Sequence, residues 1–223
     1  MTIQTVQGYD ATHANIGHLP KGQAAGYLTG SPDVQWTDAD AAAHPGWVQI
    51  DQSPVITAIN VRCDMIDMEN GAVTLAELAE VVRDAQQAYK TGLRPGQRWP
   101  GVYCSRSMVT PAVNALAAGG VLSCPLGVAD RSNNLPADRA EVEQASGPYP
   151  IVWRQYANDG TYDSGVFSVP WLTAVSAARP PAPPGQWSDP RAWHWSSAFA
   201  CGIGDDGKYH MFHLTGGTWE KLI

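Results

Sequence analysis

An α/β barrel with a small β-rich tail is the fold class this sequence predicts. Two observations carry the prediction. Short apolar segments alternate with helical patterns up to about Phe167, and a proline-rich run then sets off a stretch of β-formers punctuated by turn residues. Regular alternation of strand and helix is the pattern of a parallel sheet whose helices cover one face. The number of strand segments suits a closed, TIM-like (β/α) barrel better than an open sheet, and 223 residues accommodate such a domain plus an appendage.

Strands are expected at Thr5 to Tyr9, Ala25 to Leu28, Trp47 to Ile50, Asn60 to Met68, Gly101 to Cys104, Leu126 to Ala129 and Ile151 to Tyr156, with one more near Val166-Phe167. Three helices fall between them. One starts after Thr37, with Asp40 placed to complete its cap, and stops at His44-Pro45-Gly46. The next opens on a capping box, Thr74-Leu75-Ala76-Glu77; Leu75, Leu78, Ala79, Val82 and Ala85 then recur at helical spacing until Gly92. The third starts at Thr110-Pro111, with threonine as cap and proline in the first turn, and ends at Gly119-Gly120. The stretch from Ala11 to Ala24, rich in His, Gly and Pro, is expected to form a loop.

The run Ala178 to Gly185 clusters prolines, which favour an extended spacer of roughly 25 Å at ~3.1 Å per residue. The barrel is therefore assigned to residues 1–176, the linker to 177–186 and the tail to 187–223. In the tail, Phe199 to Ile203, Tyr209 to Leu214 and Thr218 to Leu222 form a β-meander, with turns at 204–207 and 215–217. A unit this small rarely folds unaided, so the tail is expected to dock onto the barrel, a second copy or another protein.

Composition narrows the function classes. A formal net charge of −7, with no basic stripe, argues against nucleic acid as partner. No apolar run is long enough to span a membrane, and the first residues lack the basic start and apolar stretch of a secretory signal. The 4 cysteines are too widely spaced for a zinc or redox motif and are expected to be buried thiols. His210 and His213, three apart in a strand, face opposite sides, so no shared metal site is expected there. The chain carries 9 Trp and 8 Tyr against 3 Phe, a choice that favours rings able to stack on a ligand and hydrogen-bond at one edge.

The acidic segment Cys63-Asp64-Met65-Ile66-Asp67-Met68-Glu69 carries the chemistry. Side chains two apart on a strand share a face, so Asp67 and Glu69 are expected to project together at the C-terminal mouth of the barrel, whereas Asp64 has the opposite parity and a structural role. Crowded carboxylates raise at least one pKa, allowing one group to donate a proton while another stays ionised. Glycoside cleavage needs that division of labour. Tyr9, Tyr27, Tyr103, Trp153 and Tyr156, each in or beside a strand, are the rings expected to line a sugar groove.

In this order and spacing, Tyr9-Asp10, Tyr27-Leu28-Thr29-Gly30, Trp36-Thr37, Asp67-Met68-Glu69, Gly101-Val102-Tyr103, Trp153-Arg154-Gln155-Tyr156 and Tyr162-Asp163 resemble the landmarks of glycoside hydrolase family 25, the lysozyme-like muramidases of phages and bacteria, and of a related group of glycoside-hydrolase-like barrels. The resemblance covers about residues 5–170. It implies an irregular barrel, with helices mainly between the first strands, that cleaves peptidoglycan without a cofactor, outside the cell, at the wall or on a virion. It also implies Glu69 as general acid, Asp67 as the group that orients the acetamido substituent or stabilises positive charge on the sugar, and Asp10 and Asp163 as the rest of an acidic ring. The other use of such a barrel is structural, as in a virion component whose tail docks a partner.

Overall fold

The computed structural model describes residues 2–52, 63–69, 73–90, 96–130 and 132–176, together with four strands of the tail. The expected helix stop at Gly92, the linker 177–186 and the turns 204–207 and 216–217 lie outside the described residues, as do residues 60–62 of the expected fourth strand.

Strands β1 Thr5–Asp10, β2 Gln23–Tyr27, β3 Val48–Asp51, β4 Met65–Asp67, β5 Gly101–Ser105, β6 Leu126–Ala129, β7 Ile151–Asn158 and β8 Asp163–Ser168 close into one barrel in sequence order. The helices are α1 Asp38–Ala43, α2 Leu78–Lys90, α3 Val109–Ala118, α4 Leu135–Glu143 and α5 Val169–Thr173. The domain is thus a closed, mixed α/β barrel, with one departure from the expected parallel sheet. Neighbours from β1 to β7 pair parallel, but β8 runs antiparallel to both β7 and β1. The cause is local. Asn158-Asp159-Gly160-Thr161-Tyr162 is too short to cross over, and a short connection joins antiparallel strands only. Gly160 takes φ +95°, and the Asp159 carboxylate accepts the N–H groups of Thr161 and Tyr162 at 2.9 and 3.0 Å, which fixes the reversal.

Local chemistry accounts for the helix starts. Thr37 and Asp40 form the reciprocal cap of α1, with the Asp40 carboxylate accepting the Thr37 N–H at 2.8 Å. Thr74 and Glu77 are bonded as expected, but α2 begins a turn later at Leu78, and Leu75 is exposed. Thr110 does not cap α3. A 3-10 turn over Arg106–Met108 runs directly into the helix and places Thr110 within its first turn. Two helices were not expected. The first is α4, capped by the Asn134 side chain with Pro136 in the first turn; the second is α5, capped by Ser168 with Pro170 in its first turn. Within the stretch from Ala11 to Ala24, His13–His18 winds into a 3-10 helix.

Two apolar layers hold the barrel. Outside, Ile66, Val102, Leu126 and Val128 pack beneath Leu78, Val82 and Leu116 of α2 and α3. Inside, Val48, Ile50 and Met65 surround a stack in which Trp153 lies 4.6 Å from Tyr103 and 4.8 Å from Phe167, centroid to centroid. A third cluster centres on Trp36, stacked on Trp47 at 4.6 Å, with its indole N–H donating to the Ala11 carbonyl at 2.8 Å. Gly26 makes room for this indole, since a Cβ there would come within 2.0 Å of it. Gly26→Ala is therefore expected to displace Trp36 and lose about 1–3 kcal/mol, the usual cost of overpacking, in a denaturant titration.

In the tail, β9 Trp193–Trp195, β10 Phe199–Ile203, β11 Tyr209–Thr215 and β12 Thr218–Lys221 pair antiparallel in the order β12-β11-β10-β9. The three expected strands are present, and β9 extends the meander by one.

Candidate active site

Four acidic side chains end or begin barrel strands at one mouth. Asp10, Asp51 and Asp67 are the last residues of β1, β3 and β4, and Asp163 is the first of β8. Because β8 is reversed, its start lies at the same end as the C-terminal ends of its neighbours, and Asp163 sits directly opposite Asp10 in the strand register. Glu69 lies two residues beyond β4. The turn that carries it is set by Asp67, whose carboxylate accepts the Glu69 N–H at 2.7 Å. Strand alternation places Met65 inside the barrel and Ile66 outside, so Asp67 points inward. Since β4 ends at Asp67, it is this turn rather than strand parity that positions Glu69, and Glu69 is exposed while Asp67 is buried.

The carboxyls are electrostatically coupled. Burial raises the pKa of Asp10 well above the usual range, and the negative charges of Asp163, Glu69 and Asp67 raise it further; the Tyr27 hydroxyl, which donates to Asp10 Oδ2 at 3.3 Å, pulls it down. Burial also pushes Asp67 up to about 6, against hydrogen bonds from the Glu69 N–H and the Gln52 side chain, with Asp51 adding a repulsive contribution. The phenol of Tyr27 is likewise raised, first by burial and then by Asp10. Asp51 accepts the Thr29 hydroxyl at 2.6 Å, and Asp163 accepts the side-chain amide of Asn158.

The raised Asp67 gives a stability prediction. The folded chain holds this proton more tightly than the unfolded chain, so ionising the group between about pH 4 and pH 6 costs stability as pH rises. At about 1.4 kcal/mol per tenfold in proton affinity, the cost at pH 7 is about 3 kcal/mol. Asp67→Asn keeps an oxygen for the Glu69 N–H and removes the charge. It is expected to be more stable than the parent at pH 7 by up to that amount, with the advantage vanishing towards pH 4 in paired thermal melts.

The rings expected at a sugar groove are divided by the structure. Tyr27 lies at the mouth, on Asp10. Trp153 and Tyr103 are 0% and 2% exposed and belong to the internal stack, where the Tyr103 hydroxyl donates to Gln155. Tyr9 alternates with Asp10 and lies on the opposite face of β1, edge-on to Tyr162 at 5.4 Å. The Tyr156 hydroxyl accepts the Gln7 side-chain amide at 3.0 Å on that same outer side. A polar hollow of about 120 Å³ opens beside Asp10 and Asp163, lined also by Thr12, Asn15, Tyr27 and Asn158.

The sequence reading missed Asp51, Gln155 and Asn158. Asp51 closes β3 as Asp10 closes β1, but it belongs to none of the landmarks through which the resemblance marked Asp10. Gln155 alternates with Arg154, and Asn158 belongs to the turn that reverses β8. Asp64 has the structural place expected of it: it sits at the opposite end of β4, 2.7 Å from Arg98. Cys63, Cys104 and Cys124 are buried, and burial pushes the Cys104 thiol up to about 12.

Among the described residues, no group of three or more His, Cys, Asp or Glu side chains can hold a metal ion, and no helix is long and apolar enough to cross a membrane. Comparison with known proteins found no matching family model, no matching curated protein and no matching solved structure.

Proposed function

We propose that this chain is a glycoside hydrolase of the muramidase type, built on an irregular TIM-like barrel and cleaving peptidoglycan glycan chains by carboxylate catalysis. The observation that carries the reading is the convergence of Asp10, Asp67, Glu69 and Asp163 on one mouth, where burial and neighbouring negative charge raise the proton affinities of Asp10 and Asp67. The exposed Glu69 is the general acid that protonates the leaving oxygen. Asp67, fixed beneath it through the Glu69 N–H, orients the sugar and, once ionised, stabilises the positive charge that develops on the ring. Tyr27 holds Asp10 in place, and Asp163 completes the acidic wall. The chemistry uses no cofactor. Action at a cell wall or from a virion follows from this reading, with the tail as the docking element.

One observation favours a second reading, a non-catalytic binding or virion component. Two of the expected rings are sealed in the core and two face away, leaving Tyr27 and Tyr162 at a small hollow rather than an aromatic-lined groove. Loss of turbidity in a peptidoglycan suspension, with new reducing ends in the soluble fraction, distinguishes the two. Hydrolysis releases reducing ends, whereas binding alone removes protein from solution and releases none.

A further inference from the structure

The strand register of the tail lines up three residues of related chemistry. Cys201 on β10 lies directly opposite His194 on β9 and directly opposite Met211 on β11. Residues directly opposite one another on antiparallel strands share a face of the sheet and stand about 5 Å apart. A cysteine is thus flanked across the sheet by a histidine and a methionine in one row. Alternation along each strand puts Trp193, Trp195, Phe212, Leu214 and Trp219 on the other face. That face supplies the apolar set that a sheet of this size must bury, so burial is provided for without the row. Units this small commonly add a disulfide, a metal or a partner to their core. Residues 187–223 hold a single cysteine, so no disulfide can form within the tail.

We propose that the row His194, Cys201 and Met211 binds one cuprous ion, with these three residues as its ligands. Thiolate and thioether are soft donors that select Cu(I), and imidazole suits copper as well. Zinc is the ion that a cysteine and a histidine alone would invite, but its sites draw on thiolate, imidazole and carboxylate in a four-coordinate shell, and a methionine in the third place favours copper. A pitch of about 5 Å is within the reach of an imidazole and a thioether towards an ion held on the sulfur of the residue between them. Binding displaces the thiol proton of Cys201 and changes no oxidation state, and the ion adds its binding energy to the folding of the tail. His210 lies opposite Gly202 and falls on the other face, so it is not a ligand. The cysteines of the barrel do not compete. Cys63, Cys104 and Cys124 are 0% exposed, and burial raises the Cys104 and Cys124 thiols, which disfavours the thiolate that a metal requires. The site is independent of the glycan reading of the barrel.

The test uses the full chain under argon with ascorbate, and bicinchoninate as a coloured competitor for Cu(I). The parent chain is expected to withdraw one Cu(I) per chain from the chelator, to gain an ultraviolet thiolate-to-copper absorption, and to keep the ion against about a tenfold excess of zinc. Cys201→Ser is expected to weaken binding about 100-fold and to remove the absorption, and His194→Phe and Met211→Leu to weaken it about tenfold each. His210→Ala is expected to leave it unchanged. Failure of the parent chain to take up copper overturns the proposal, and this arm needs no variant. Uptake by Cys201→Ser equal to that of the parent, an affinity untouched by Met211→Leu, loss of the ion to zinc, or a loss with His210→Ala as large as that with His194→Phe also overturns it.

Discussion

Glu69→Gln is expected to slow peptidoglycan hydrolysis by about 100- to 10,000-fold, the range a positioned proton donor contributes. Glutamine has nearly the size of glutamate and presents an amide that cannot give up a proton to the departing sugar oxygen. The side chain is exposed, so its replacement removes little packing, and the melting temperature should stay within a degree or two of the parent. That pairing of lost rate and kept stability separates a chemical role from a structural one. The measurement is initial reducing-end release on purified walls for both proteins; equal rates would remove Glu69 from the mechanism.

Under the proposed hydrolase reading, the pH profile of the parent chain reports on the neighbouring acid. In the proposed mechanism Asp67 must be ionised to stabilise positive charge on the sugar, and burial places its pKa at about 6. The rate should therefore fall on the acid side of about pH 6, approaching a tenfold loss per unit of pH, although an ordinary aspartate would stay charged down to about pH 4. A profile flat between pH 4.5 and pH 7 would show that no group titrating there governs the rate.

Most of the barrel was legible because each strand is a compact apolar segment bounded by turn residues, and Leu126–Ala129 coincides with its expected limits. Strand direction was less legible. The pattern Val166-Phe167 marks a strand, but only the length and chemistry of the Asn158 to Tyr162 turn tell which way it runs, and that reversal is what brings Asp163 to Asp10. Asp67, which closes β4, was readable from its position in the strand, whereas Asp10, which closes β1, was marked only by the resemblance. The fate of the rings was not readable, because alternation decides it only once register is known. Tyr9 and Asp10 are adjacent in sequence and lie on opposite faces of one strand. Trp153 looks in sequence like a sugar platform and in the barrel is the middle layer of a three-ring stack.

The largest stability effect is expected at the other end of the barrel. Arg98→Met should cost about 3–5 kcal/mol, the penalty for leaving one partner of a buried ion pair without the other. Arg98 is 5% exposed and joins several separate pieces of chain. Its guanidinium donates to Asp64 Oδ2 at 2.7 Å, to the carbonyls of Gly46 and Trp47 at 2.6 and 3.1 Å, and to Leu172 at the end of α5 at 3.1 Å. Asp64 in turn accepts the N–H groups of Arg98 and Gln49 at 2.7 and 3.1 Å, so the pair ties the starts of β3, β4 and β5 into one floor. Burial raises the pKa of Asp64 in spite of the guanidinium beside it. Desolvation therefore outweighs attraction, and the pair serves to satisfy these buried groups rather than to supply a surplus of stability. The double variant Arg98→Met, Asp64→Asn is thus expected to recover part of the loss, because asparagine keeps an acceptor for the Gln49 N–H and carries no charge to strand. The single variant's deficit should also shrink as pH falls to about 4 and below, where an ordinary aspartate takes up its proton in the unfolded chain as well. The part that remains belongs to the three carbonyls Arg98 no longer reaches. Urea titrations of the parent, the single and the double variants at pH 7 and pH 4 measure both quantities, and a deficit equal at the two pH values would assign the whole effect to lost packing.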